Sequence, residues 1–134
     1  EAQKSLAESI LRAVGLTRWV ADESLMDAVT AVSGSGPAYF FLFMEEMIRA
    51  AGALGLDEQD ASLLTLQTAL GAARMALESN DPPATLRARV TSPGGTTERA
   101  IRVFEEEGLE QLVKRAMTAA RDRSIELSSQ LPED

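Results

Sequence analysis

Cysteine and histidine are both missing from this 134-residue chain. Without them there are no disulfides, no thiolate nucleophile, no imidazole base and none of the usual zinc ligands. Any chemistry falls to Asp, Glu, Lys, Tyr, Ser and Thr, and no metal site is expected. Positive charge is also short: 21 acids face 13 bases, for a net charge of −8. A nucleic-acid partner would need a basic patch strong enough to overcome that field, and no Lys/Arg cluster longer than Arg87-Ala88-Arg89 appears. No apolar run reaches membrane-spanning length; the longest, residues 38–44, stops at Glu45-Glu46. The start, Glu1-Ala2-Gln3-Lys4, shows no signal-peptide pattern and no initiator Met, which fits a fragment or a processed product.

What remains is ordinary globular material, 45% hydrophobic and 25% charged, of a length that suggests one domain. Its periodicity is helical almost throughout. Leu6, Ile10, Leu11 and Val14 share a face before Gly15 stops the run. Residues 17–21 form the one expected strand, with Trp19 as a packing anchor. Ser24 is placed to cap a helix over residues 25–32, and Ser33-Gly34-Ser35-Gly36-Pro37 breaks it, with Pro37 set to open the next helix.

That helix, residues 37–54, is apolar on every side in its first turns, so it must be covered in a core or an oligomer interface. Its Tyr39 is expected in the core, and Glu45-Glu46 where the helix meets solvent. Asp57 caps a long helix to residue 79, with Leu63, Leu66, Leu70 and Leu77 in a stripe and a small-residue middle around Gly71. Gly71 costs roughly 1 kcal/mol of helix propensity, which close packing can offset. A turn at Asn80-Asp81-Pro82-Pro83 leads to a short helix over residues 84–90. Two more helices follow, over residues 96–107 and 109–128, separated by Gly108, and the last four residues should fray. The expected fold is all-α, with five to seven helices.

Two breaks are more than punctuation. Gly34-Ser35-Gly36-Pro37-Ala38-Tyr39 opens like a dinucleotide fingerprint, but Tyr39 stands at the third glycine and no βαβ unit surrounds it. Turn chemistry explains it, as does close backbone or ligand approach beside a buried helix start. Val90-Thr91-Ser92-Pro93-Gly94-Gly95-Thr96-Thr97-Glu98 places two glycines and two threonines at a helix start. Unpaired N–H groups and the helix dipole favour a carboxylate or phosphate there, and Ser92, Thr96 and Thr97 can add hydroxyls. The plain alternative is that Thr96 caps a helix that Pro93 keeps apart from the one before. From physics alone both readings stand.

Taken together, residues 27–39 and residues 90–97 resemble the C-terminal half of pyrroline-5-carboxylate reductase, in the same order and separation. The likeness runs from about residue 23 to 128 and includes the Gly71 helix and a Pro-x-x-Leu-Arg step from Pro83 to Arg87. The resemblance implies reduction of a cyclic imine, 1-pyrroline-5-carboxylate, to L-proline by NADH or NADPH, in the cytoplasm. It implies that residues 1–22 end a Rossmann domain as a helix and strand, and that residues 23–134 form a helical domain for dimerisation and substrate binding. The chain would then pair with itself, with larger rings of dimers left open, and would not hold the dinucleotide alone. Ser92, Gly94, Gly95, Thr96 and Thr97 would hold the substrate carboxylate, with Thr97 also at the ring nitrogen as the catalytic candidate. Ser35, Gly36 and Pro37 would lie beside the nicotinamide. The segment Ser79-Asn80-Asp81-Pro82 is less acidic than the family pattern and is given no role. Two other readings compete: a helical scaffold without chemistry, and the helical domain of another Rossmann dehydrogenase. The latter relies on a helical Lys, whereas Lys4 and Lys114 lie far from both motifs.

Overall fold

The computed structural model describes residues 2–130. Among them are seven α-helices and no strand: α1 Ala2–Leu11, α2 Met26–Val29, α3 Gly36–Ala53, α4 Glu58–Glu78, α5 Pro83–Arg89, α6 Thr96–Glu106 and α7 Leu109–Ser128. The fraying expected at the C-terminus falls outside the described residues. Among the described residues no helix is long and apolar enough to cross a membrane.

The strand expected at residues 17–21 does not form; residues 16–20 have no regular structure. A strand needs a neighbour to complete its backbone ladder, and no described segment offers one. Trp19 instead folds back on α1. Its Nε1 donates to Glu8 at 3.4 Å, and the Lys4 ammonium sits 4.8 Å from the ring centroid.

The helix expected over residues 25–32 is divided. Asp22, rather than Ser24, is the cap: its Oδ1 accepts the Ser24 N–H at 2.8 Å and opens a 3₁₀ turn, Glu23–Leu25. After α2 the chain widens into a π turn, Thr30–Gly34, closed by the Ser35 N–H to the Thr30 carbonyl at 2.8 Å. Ser33 Oγ donates to the Val29 carbonyl at 2.9 Å and supports the widened turn from the side.

Helix α3 ends as a Schellman motif. Gly55, at φ +103°, lets the Leu56 N–H reach the Ala51 carbonyl at 3.1 Å and the Gly55 N–H reach Gly52 at 3.0 Å. Asp57 then caps α4, accepting the Asp60 N–H at 2.9 Å. Helices α3 and α4 pack on each other, α7 packs on α2 and the π turn, and α6 leans on α7. Phe43 of α3 meets Phe104 of α6 with ring centroids 6.0 Å apart.

The core of the single chain is very small. Its buried side chains are Ala31 (2% exposed), Ala61 (1%) and Thr65 (6%). Helix α4 turns this small-residue side inward, while the leucine stripe faces out: Leu63 is 63% exposed and Leu77 87%. The apolar start of α3 is open as well, with Phe40 and Phe41 each about two-thirds exposed. Of the two coverings the sequence allowed, a core of its own is therefore excluded. The accessible surface is 11344 Å², against about 6,800 Å² for a self-contained monomer of this mass.

Candidate functional site

The loop between α5 and α6 is built around two adjacent glycines. Pro93 holds the first central position of a turn, Gly94 takes φ +72° at the second, and the Gly95 N–H closes it on the Ser92 carbonyl at 3.0 Å. Proline followed by a left-handed residue is the chemistry of a type II turn. Gly95 has ordinary extended backbone, but a Cβ there would lie 2.9 Å from the Ser92 carbonyl oxygen. One glycine is required by its dihedral, the other by close approach.

Gly95 is also the N-cap of α6 and offers no side chain to it. Thr96 is the first residue inside the helix, so it does not cap as its position suggested. Glu98 acts instead: its Oε2 accepts the Gly94 N–H at 2.9 Å across the turn. Two donors of the loop are thus engaged, Gly94 with Glu98 and Gly95 with Ser92. The N–H groups of Thr96, Thr97 and Glu98 have no acceptor among the described residues. Ser92, Thr96 and Thr97 are exposed and Gly95 half-buried, so the free donors lie at a solvent-accessible helix start carrying three exposed hydroxyl residues. Free donors at the positive end of a helix are chemistry that favours a small anion.

The loop is held from both sides. Thr91 Oγ1 donates to the Arg87 carbonyl at 2.6 Å, and the Arg87 guanidinium meets Glu105 at 2.9 Å, tying α5 to α6. Arg89 pairs with Asp81, whose N–H donates to the Ser79 hydroxyl oxygen at 3.0 Å, so the turn before α5 is anchored to its end.

The second motif lies at the head of α3. Gly36 is buried and begins the helix, Ser35 is half-buried, and Pro37 is exposed in the first turn. The π turn before it is a feature that often marks a functional position. The hydroxyl of Tyr39 is fully buried and has no hydrogen-bond partner among the described residues. Three residues at one helix start offer none of the βαβ framework that holds a dinucleotide.

Helices α3 and α6 meet at Phe43 and Phe104, several residues beyond the start of each. An apolar groove of about 300 Å³ between α4 and α5, lined by Ala72, Met75, Ala76, Pro83, Leu86, Arg87 and Val90, contains none of the candidate site residues. Sequence reasoning passed over two residues here. Glu98 stands three positions after the N-cap, where a carboxylate turns back onto free N–H groups, so the capping-box spacing was a usable signal. Asp22 precedes a serine-containing turn, and the signal there was weaker.

These features define a class: a helical domain that keeps little core of its own and leaves its apolar helix faces uncovered for another chain. The chain belongs to the pyrroline-5-carboxylate reductase dimerisation family, whose model matches residues 23–127. It is 59% identical over 130 residues to the pyrroline-5-carboxylate reductase of Pseudomonas aeruginosa, covering 97% of this chain and 48% of that one. Against the reductase of Methanosarcina acetivorans it is 47% identical over 121 residues, 90% of this chain and 44% of the relative. Among solved structures, a pyrroline-5-carboxylate reductase from Coxiella burnetii superposes with a TM-score of 0.91 at 56% identity, covering 95% and 47% of the two chains. A pyrroline carboxylate reductase from Plasmodium falciparum with NADP bound superposes with a TM-score of 0.84 at 33% identity, covering 92% and 47%. The chain spans about half the length of the curated relatives it matches.

Proposed function

We propose that this chain is the C-terminal part of a reductase that converts 1-pyrroline-5-carboxylate to L-proline with NADPH or NADH. The observation that carries the reading is the family match across residues 23–127, which contains both motifs. Residues 23–134 are the dimerisation and substrate domain, and residues 1–22 are the end of a nucleotide-binding domain. Two copies associate through the open faces of α3 and α4. The reaction takes place in the cytoplasm, and the dinucleotide is held by a domain outside this chain.

The bound cofactor supplies a hydride to the carbon of the C=N bond and is itself oxidised; a proton completes the nitrogen. This chain holds the substrate in place for that step. The free N–H groups of Thr96 and Thr97 and the Ser92 hydroxyl grip the carboxylate, while the turn set by Gly94 and Gly95 gives them their direction. The Thr97 hydroxyl hydrogen-bonds the ring nitrogen; a threonine is a weak acid, so it orients the nitrogen or relays a proton from solvent. Ser35, Gly36 and Pro37 close the pocket beside the nicotinamide.

The test joins this chain to the nucleotide domain of its Pseudomonas aeruginosa relative and follows NADPH oxidation with pyrroline-5-carboxylate. Turnover is expected, with NADH as the alternative donor. Ser92→Ala should raise KM about tenfold, the worth of one hydrogen bond to a charged group, and Thr97→Ala should mainly lower kcat. A folded dimer without turnover would favour the non-catalytic scaffold reading instead.

A further inference from the structure

We infer that Glu98 is a positioning residue for the carboxylate loop and also weakens the loop's grip on an anion; the inference rests on the carboxylate assignment above. Glu98 Oε2 accepts the Gly94 N–H at 2.9 Å, and the side chain is half-buried between exposed neighbours. Because Gly95 has no side chain, Glu98 is the one side chain among the described residues that caps the α6 start. Its hydrogen bond spans the Pro93-Gly94 turn and fixes the peptide that precedes the free donors of Thr96 and Thr97. Its charge sits at the same helix start, where it occupies part of the favourable field an incoming carboxylate would use.

The hydrogen bond and the charge therefore act in opposite directions on substrate affinity. The bond improves affinity by ordering the loop, and the charge lowers it by repulsion. Glu98→Gln separates them, because an amide oxygen still accepts the Gly94 N–H while the charge is gone. Glu98→Ala removes both.

The experiment uses the joined reductase described above, with KM and kcat for pyrroline-5-carboxylate measured at low and high salt, and Gly94 amide exchange measured alongside. Glu98→Gln should lower KM about two- to fivefold, the range of a single charge at a helix start, with kcat close to wild type. That gain should shrink at high salt as the charge is screened. Glu98→Ala should raise KM about threefold or more, the scale of a lost cap, and speed Gly94 exchange. Glutamine and alanine moving KM in the same direction would overturn the inference, and so would glutamine matching wild type while Ser92→Ala still raises KM. If Ser92→Ala and Thr97→Ala are both silent, the carboxylate assignment fails and this inference falls with it.

Discussion

Gly94 and Gly95 stand side by side, yet a methyl group is excluded at each for its own reason. At Gly94 the obstacle is the dihedral, φ +72°, which costs an L-residue roughly 1–2 kcal/mol. At Gly95 it is the Ser92 carbonyl oxygen, 2.9 Å from where a Cβ would sit. Gly94→Ala should therefore lower stability by about 1–2 kcal/mol in urea unfolding, with the turn still formed. Gly95→Ala should do its damage in KM, because relieving the contact displaces Ser92 and opens the turn. Asp22 supplies a pH effect of known sign. The Ser24 N–H, and after it the Ser24 hydroxyl, hold the Asp22 carboxyl below its ordinary value of 3.8. A lowered carboxyl stabilises the fold above its unfolded pKa, and that support is lost as pH falls through the folded value. Acid unfolding of Asp22→Asn, followed by circular dichroism, should lack this component below about pH 4.

Helix α4 shows how one element serves two contacts. It packs on α3, its small residues Ala61 and Thr65 are buried, and its leucines are left exposed. The close approach expected at Gly71 is not made within this chain, since a Cβ there would meet nothing within 4 Å; the buried stripe runs instead through Ala61 and Thr65. The cap at its start matters because the helix is long and its end is exposed. Asp57→Ala should cost about 1 kcal/mol of stability, measurable by chemical denaturation. The Arg87–Glu105 pair joins α5 to α6 but is more than half exposed at both ends. A double-mutant cycle on it should give less than about 1 kcal/mol, so its part is to set the angle at which the loop is held.

For the whole molecule, surface area is decisive. The chain exposes roughly 4,500 Å² more than a self-contained monomer of its mass would, and large apolar side chains of α3 and α4 are among those left open. Area on this scale is typical of obligate partners, whose interface resembles a divided core. The domain should sediment as a dimer at micromolar concentration, and its Tm should rise with protein concentration. Phe41→Asp, placing a charge on the open face of α3, should dissociate the dimer and unfold the domain together. A compact, stable monomer from that variant would count against coupling between association and folding.

Local interactions wrote most of this fold into the sequence. The caps and breakers Asp57, Gly55, Pro83 and Gly108 act on their own few neighbours, so α3 to α7 lie within a residue or two of where the pattern put them. The SPGG break was legible for the same reason, but not why both glycines are needed, one for its positive φ and one for close approach. Three matters had to wait for tertiary structure. Residues 17–21 form no strand, because strand pairing requires a partner at a distance. The helix before Gly34 splits into 3₁₀, α and π turns, because Asp22 and Ser33 supply hydrogen bonds that compete with a uniform helix. The leucines of α4 face outward, because periodicity identifies an apolar stripe without saying what covers it. Which donors of the loop are free was likewise decided only in three dimensions, where Glu98 turns back and takes the N–H of Gly94.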